Sequence, residues 1–147
     1  MRMLVTKVSK AKLTVDNQLI SQIGEGYVVY FGVKTTDNEK LVDKCVRKLM
    51  NLRIYHDEND KLNLSLNKEK HQILVVSQFT LYGDATNNNR PSFTNAARPE
   101  HANLLYESFV EKLRNHGYHV QTGVFGAHMT IDATYVGPFN LMYEIEA

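Results

Sequence analysis

The sequence has no tryptophan, a single cysteine and only three prolines, and its charges nearly cancel. Because Cys45 has no second cysteine to pair with, the fold needs no internal disulfide and no oxidising compartment. A count of 17 Lys and Arg against 16 Asp and Glu excludes the strongly basic class that coats long nucleic acids. It is compatible with a small docking site on one end of a nucleic acid. No apolar run reaches the roughly 18–20 residues that cross a bilayer, and the opening residues lack the apolar stretch of a signal peptide. We expect a soluble, cytoplasmic protein with one domain over residues 1–147.

Hydrophobic patterning predicts several strands. A tight hairpin is expected at Asp16-Asn17, because both residues tolerate positive φ. The continuous apolar runs at 27–33 and 73–79 are typical of strands that are buried on both faces. Three further strands are predicted near the end of the chain, at 118–122, 128–134 and 139–145.

Two helices are expected to cover these strands. A capping box at Thr36–Glu39 predicts the start of the first helix, and Cys45 lies on its apolar stripe as a packed core thiol. The second helix is expected to begin near Pro99 and to end at Gly117. Mixed strands and helices favour an α/β or α+β sheet covered by two main helices.

Several standard catalytic signatures are absent from the sequence. There is no Walker phosphate loop and no GxSxG nucleophile elbow, and Gly24-Glu25-Gly26 leads into a strand, which indicates a turn rather than a dinucleotide site. His116 and His119 flank a helix end and do not share one helical face, and the remaining histidines considered, His56, His71 and His101, are expected to be exposed. We therefore expect no metal and no cofactor.

Polar and aromatic side chains cluster at the end of the second apolar run, in the segment Ser77–Tyr82. Ser77 and Thr80 offer hydroxyls, Gln78 offers an amide, and Phe79 offers a ring face for stacking. Ligands tend to bind where the carboxyl ends of strands meet loops. From these residues alone, a ligand site and an ordinary polar strand end both remain open.

A second anomaly is Gly137-Pro138, which lies between the last two predicted strands. Proline removes one ladder hydrogen bond, so the pair either separates two strands or lies on a sheet edge. The alternatives are a simple turn and a backbone element that presents its carbonyls to a ligand.

Taken together, these residues resemble the D-aminoacyl-tRNA deacylase family, and the resemblance runs nearly end to end. Ser77-Gln78-Phe79-Thr80-Leu81 resembles the family's first active-site motif in full, and Gly137-Pro138 falls where the second motif belongs. The segments 90–93 and 123–129 continue the pattern. The resemblance implies an α/β fold with a mixed, open barrel-like sheet, two main helices and no cofactor.

The resemblance further implies an editing enzyme that hydrolyses the ester between a D-amino acid, or glycine, and the 3′-terminal adenosine of tRNA. Members are homodimers in which Gly137-Pro138 would cross into the partner's pocket and exclude L side chains. An exclusion of this kind is a steric penalty against the wrong substrate.

Carried over to this chain, the family pattern assigns Ser77, Gln78, Phe79 and Thr80 to the catalytic pocket, with Gly137 and Pro138 as the chirality gate. The residues expected to contact the terminal adenosine are Phe79, Phe125, Gly126, Ala127 and Met129. Thr80 has no evident His or Asp partner, so we prefer attack by water assisted by the ribose 2′-hydroxyl over a threonine nucleophile.

The sequence departs from the family at the flanks of the second motif, where Tyr135-Val136 precedes the Gly-Pro pair and Phe139-Asn140 follows it. Two alternatives therefore stay open beside the deacylase. One is a non-catalytic module that binds the 3′ end of tRNA or a nucleotide, and the other is a hydrolase of small esters or amides.

Overall fold

The structure, a computed structural model that describes residues 1–146, contains eight strands and two α-helices. In chain order these are β1 (Arg2–Val15), β2 (Gln18–Ile23), β3 (Gly26–Gly32), α1 (Glu39–Asn51), β4 (Tyr55–His56), β5 (Leu62–Leu64), β6 (Gln72–Ser77), α2 (Pro99–Asn115), β7 (His119–Thr122) and β8 (Thr130–Glu144). A short 3-10 helix, Phe79–Tyr82, follows β6 directly.

The long strand β1 organises the main sheet because it pairs along both edges. On one edge it runs antiparallel first to β3 and then to β2, and on the other edge it pairs with β8 over nearly its whole length. Strands β6 and β7 add in parallel beyond β3. A hydrogen bond from Ser21 Oγ on β2 to the Thr122 carbonyl on β7 brings the two ends of this sheet together, so the sheet is nearly closed.

Two apolar clusters lie on opposite faces of the sheet. The larger cluster packs α1 and α2 against residues such as Met3, Phe31 and Val75, with Phe31 stacked on Phe109 of α2 at 4.4 Å between ring centroids. The smaller cluster fills the inside of the curved sheet and includes Leu13 and Val76. Alternation of side chains along β3 and β6 therefore sends one set to the helices and the other to the interior. The expected α/β fold with an open barrel-like sheet and two helices is confirmed.

The start of α1 differs from the prediction. The helix is capped by Asn38, whose Oδ1 accepts hydrogen bonds from the Lys40 and Leu41 backbone N–H groups. Asp37 is buried and accepts from the Lys34 N–H, so residues 34–37 form a turn before the helix begins. Glu39 reaches α2, where its carboxylate contacts Ser108 and Lys112, and the predicted capping box at Thr36–Glu39 is wrong for that reason.

The strand limits also differ from prediction at two places. Strand β6 ends at Ser77, and the following residues turn into the 3-10 helix instead of continuing to Phe79. The two strands predicted at 128–134 and 139–145 are one strand, β8, because Gly137-Pro138 lies in a bulge on a sheet edge. Cys45 is buried as predicted, and burial raises the pKa of its thiol to about 12. No helix within residues 1–146 has the length and apolarity to cross a membrane.

The pairing of β3 with β6 yields a prediction about two neighbouring glycines. A Cβ added to Gly26 would lie 1.8 Å from the Gln72 carbonyl oxygen of the adjacent strand, whereas a Cβ added to Gly24 would find nothing nearer than 3.7 Å. We expect Gly26→Ala to reduce the free energy of unfolding by more than about 3 kcal/mol, or to prevent folding. Gly24→Ala, the matched control, should change it by less than about 0.5 kcal/mol. Urea denaturation measures both, and equal midpoints for the two variants would contradict this account of the strand pair.

Candidate active site at the end of β6

The site begins where β6 separates from β3. Phe31 of β3 lies opposite Ser77 of β6, and the last hydrogen bond of this strand pair runs from the Gln78 backbone N–H to the Phe31 carbonyl, at 2.9 Å. Beyond it the chain turns into the 3-10 helix, closed by the Leu81 N–H donating to the Gln78 carbonyl. This change of direction leaves the side chains of Phe79 and Thr80 exposed at the carboxyl end of the strand.

Gln78 and Thr80 are hydrogen-bonded to each other. The Gln78 Nε2 amide donates to Thr80 Oγ1. Within residues 1–146, no histidine or carboxylate hydrogen-bonds to this hydroxyl. An amide donor cannot accept the proton that a threonine nucleophile must lose. The geometry therefore supplies polar groups that orient a ligand, and no general base for Thr80.

Phe79 forms an exposed aromatic platform. Its ring is 54% exposed and meets Phe93 edge-on, at 5.0 Å between ring centroids. Phe93 is held there because Asp84 and Ser92 exchange two backbone hydrogen bonds of 2.8 Å, which close the intervening loop back on itself. Edge-to-face packing restricts the Phe79 ring without covering it, so one face stays free for stacking.

Two residues outside the motif, Arg2 and Gly32, determine where the 3-10 helix lies. The Arg2 guanidinium donates to the Leu81 carbonyl at 2.7 Å and lies over the Tyr82 ring. Gly32 leaves room for the same helix, since a Cβ there would lie 3.0 Å from Leu81 Cβ and 3.1 Å from the Gln78 carbonyl oxygen. The helix is thus held between the start of β1 and the end of β3.

The segment predicted to contact adenosine follows β7, the strand parallel to β6. Phe125 is half-buried against Tyr106, at 6.2 Å between ring centroids, and Tyr106 donates its hydroxyl to the Val75 carbonyl of β6 at 2.8 Å. Burial raises the pKa of Tyr106 to about 12, so the hydroxyl stays protonated and keeps this bond near neutral pH.

The remaining residues of that segment divide between the surface and the interior. Gly126 is exposed with a positive φ of 76°, and the Ala127 N–H closes the turn onto the Val124 carbonyl. Met129 packs against the cluster inside the curved sheet, on the face opposite the one that Phe125 joins.

Gly137 and Pro138 lie far from this site in their own chain. Four residues of β8, Val136 to Phe139, stand opposite the single residue Lys7 of β1, so the pair bulges from the exposed edge, and its peptide bond is cis. Lys7 pairs with Tyr27, four residues before Phe31 along β3. The separation from Ser77 is therefore three strand spacings, about 14 Å, across the sheet and about 13 Å along it. One chain does not bring the two motifs together.

The histidines form no site with the acidic residues. Within residues 1–146 there is no group of three or more His, Cys, Asp or Glu side chains that could hold a metal. His71 was expected to be exposed and is instead buried, stacked on Tyr55 at 4.1 Å, with Nδ1 accepting from the Asn67 N–H. Burial lowers the pKa of His71, so the residue serves the fold as a neutral ring.

Sequence reasoning missed four residues that build the site. They are Arg2, Gly32, Phe93 and Tyr106, none of which was assigned a role there. Phe93 lies in a segment that fits the family pattern, so that pattern could have indicated it. The other three act through contacts between distant parts of the chain, which carry no local sequence signal.

Comparison with known proteins shows to which family the chain belongs. The family model described as D-Tyr-tRNA(Tyr) deacylase matches residues 4–144. The D-aminoacyl-tRNA deacylase of Clostridioides difficile (strain 630) is 50% identical over 98% of this chain and 97% of its own length. That of Finegoldia magna is 44% identical over the same shares of the two chains. A solved structure described as c-Myc DNA Unwinding Element Binding Protein is 36% identical and superposes over the whole of both chains with a TM-score of 0.93. The resemblance drawn from the motifs is confirmed, and the chain belongs to the D-Tyr-tRNA(Tyr) deacylase family.

Proposed function

We propose that this protein hydrolyses the ester bond of D-aminoacyl-tRNA and releases the free D-amino acid and tRNA. The observation that carries the proposal is the end of β6, where the exposed Phe79 ring stands beside the Gln78–Thr80 hydrogen bond in a segment that matches the family motif. The two relatives of this chain described above are named for this activity. The substrate is a tRNA of the cytoplasm, which we take as the protein's compartment.

Substrate binding relies on stacking and hydrogen bonding. Phe79 offers its free face to the terminal adenine, and Phe125 with the turn at Gly126-Ala127 borders the same base. Stacking of a base on an aromatic ring contributes about 1–3 kcal/mol. Ser77 and Gln78 then hydrogen-bond the ribose and the aminoacyl group. A footprint limited to the acceptor end of the tRNA suits a chain whose net charge is only +1.

Hydrolysis proceeds by attack of water on the acyl carbon. The new bond joins the water oxygen to that carbon, the bond to the ribose 3′ oxygen breaks, and the 2′-hydroxyl of the substrate relays the proton to the leaving oxygen. The N–H groups of Phe79 and Thr80 begin a short helical turn, where the first N–H groups have no partner inside the turn. They are the donors that stabilise the negative charge of the tetrahedral intermediate.

The chirality gate acts between two copies of the chain. Gly137-Pro138 stands about 14 Å across and about 13 Å along the sheet from Ser77 of its own chain, too far to contact the same substrate. The bulge lies on the exposed edge of β8, where a second protomer can receive it. A homodimer thus completes each pocket with the partner's Gly-Pro carbonyls, which collide with an L side chain. Glycine has no side chain, so its ester passes the same gate.

The direct test is release of tyrosine from matched D-tyrosyl-tRNA and L-tyrosyl-tRNA by the purified protein. We expect fast release of the D form and sparing of the L form, with spontaneous hydrolysis of each ester as the control. Release of both at equal rates would contradict the gate. If neither is released while tRNA still binds, the chain is the non-catalytic binding module instead.

The chemical step is tested by removing two hydroxyls in turn, the 2′-hydroxyl of the substrate and the side-chain hydroxyl of Thr80. A substrate that ends in 2′-deoxyadenosine should be hydrolysed more than about 100-fold more slowly, because the proton relay is lost. Thr80→Ala should retain kcat within about 10-fold, since its hydroxyl lacks a base, and Thr80→Ser serves as the matched control. Single-turnover rates separate the two effects. A loss for Thr80→Ala as large as that for the deoxy substrate would assign the attack to Thr80.

The gate is tested with dimers of two different subunits, purified through two tags. One subunit carries Gly137→Ala and Pro138→Ala with an intact pocket, and the other keeps its gate but carries Gln78→Ala and Phe79→Ala. Homodimers of the first should release L-tyrosine as well as D-tyrosine. In the mixed dimer the intact pocket faces the partner's wild-type gate, so L-tyrosine should again be spared. Release of both forms by the mixed dimer would mean that the gate acts within one chain.

A further inference from the structure

A basic groove lies between α1 and the end of β8. Its volume is about 470 Å³, and it is lined by the cations Lys44, Arg47, Lys48 and Arg53 together with Asn51 and Tyr143. Three of the cations come from the outer face of α1, and Arg53 follows that helix in the chain. This set of residues is called the α1 groove below.

The charge of the α1 groove is not balanced by the protein. None of its four cations forms an ion pair with a residue between 1 and 146, and no carboxylate is among the lining residues. Lys48 Nζ lies over the Tyr143 ring at 4.9 Å from its centroid, and the Arg53 guanidinium is fixed by the Asn63 carbonyl and side chain. A chain with a net charge of +1 has thus gathered an excess of four positive charges in one concave surface. Such a surface raises the local concentration of an anionic partner.

The groove is in register with the active site across the sheet. Tyr143 of β8 pairs with Met3 of β1, Met3 pairs with Phe31 of β3, and Phe31 pairs with Ser77 of β6. These four residues form one row, and three strand spacings put Tyr143 about 14 Å from Ser77. Arg2 links the two ends of the row, because its guanidinium contacts both the Leu81 carbonyl and the Glu144 carboxylate.

We propose that the α1 groove binds backbone phosphates of the tRNA acceptor stem while the aminoacylated 3′ end occupies the site at Ser77–Thr80. The inference rests on the proposed function and identifies where that substrate leaves the site. A separation of about 14 Å puts the groove within reach of the backbone phosphates that follow the unpaired 3′ end, and these phosphates are the charges that its cations would neutralise. Contacts of this kind position the nucleic acid without reading its sequence.

The test uses charge reversal in the full-length protein, with Arg47→Glu and Lys48→Glu combined. The matched control combines Lys10→Glu and Lys12→Glu, two exposed lysines on β1 at the end remote from Ser77, which gives the same change in net charge. Each protein is assayed with D-tyrosyl-tRNA and with the D-tyrosyl ester of adenosine, which has no stem. Binding of uncharged tRNA is measured separately, and size-exclusion chromatography checks the oligomeric state.

The groove variant should lose about 10- to 100-fold in kcat/KM on D-tyrosyl-tRNA, mainly through KM, and the loss should be confined to the substrate with the stem. Its affinity for uncharged tRNA should fall by the same factor, and the salt dependence of log kcat/KM should become shallower by about 1 to 2. The control should keep wild-type values. The milder pair Arg47→Gln and Lys48→Gln should give an intermediate loss of kcat/KM on D-tyrosyl-tRNA. This pair keeps the proposal testable if the charge-reversal variant folds poorly.

Three results would overturn the proposal: equal losses on both substrates, no loss on either, or a loss that follows a change in oligomeric state. The last would assign the groove to contacts between protein chains. Wild-type protein that hydrolyses neither ester would refute the proposed function instead. In that case, binding of uncharged tRNA still tests the proposal for the α1 groove. Equal affinities of the wild type and the groove variant for this tRNA would overturn it.

Discussion

The parallel pairing of β3 with β6 is the constraint on which the site depends. It brings Phe31 opposite Ser77, and the Gln78 N–H then donates the last hydrogen bond of the strand pair to the Phe31 carbonyl before the chain turns. Glycine is required at both ends of β3, at Gly26 against the Gln72 carbonyl and at Gly32 against the 3-10 helix. Because a parallel pair ends with both carboxyl termini at one edge, the loops after β6 and β7 converge there. The position of Phe79 and Thr80 is therefore a consequence of strand register.

The groups at the end of β6 favour positioning of a substrate over acid–base catalysis by a side chain. The side chains of the site's first motif are a serine, an amide, an aromatic ring and a threonine, and the tyrosine behind them stays protonated because burial raises the pKa of Tyr106 to about 12. None of these groups changes charge near neutral pH. In the proposed mechanism, the proton transfers of ester hydrolysis therefore come from water and from the substrate, while the pocket supplies backbone donors and an aromatic platform.

Much of this arrangement could be predicted from the sequence, and the exceptions have physical causes. The hairpin at Asp16-Asn17 was predicted because both residues tolerate the positive φ that they adopt, and the core position of Cys45 followed from helical spacing. The cap of α1 was misplaced because Asp37 is engaged in a buried turn and Glu39 in contacts with α2, neither of which is local. His71 was misjudged because its ring is covered by Tyr55, a residue that is distant in the sequence, while its Nδ1 accepts from the nearby Asn67 N–H. For the site, the motif at Ser77–Leu81 was visible, but the supports from Arg2, Gly32 and Tyr106 arise from chain segments that only folding brings together.

The main sheet also explains how a nearly neutral chain can act on a polyanion. Strand pairing fixes the register of neighbouring strands. The row from Ser77 through Phe31 and Met3 to Tyr143 therefore sets the distance between the candidate active site and the α1 groove. The uncompensated cations lie at one end of that row and the aromatic platform at the other. A few phosphate contacts at a fixed distance orient a nucleic acid more selectively than a uniformly basic surface, which would bind it in many registers. The same sheet carries Gly137-Pro138 in the bulge of β8, four residues along the strands from this row, so within one chain the gate and the groove lie at different positions along the edge strand.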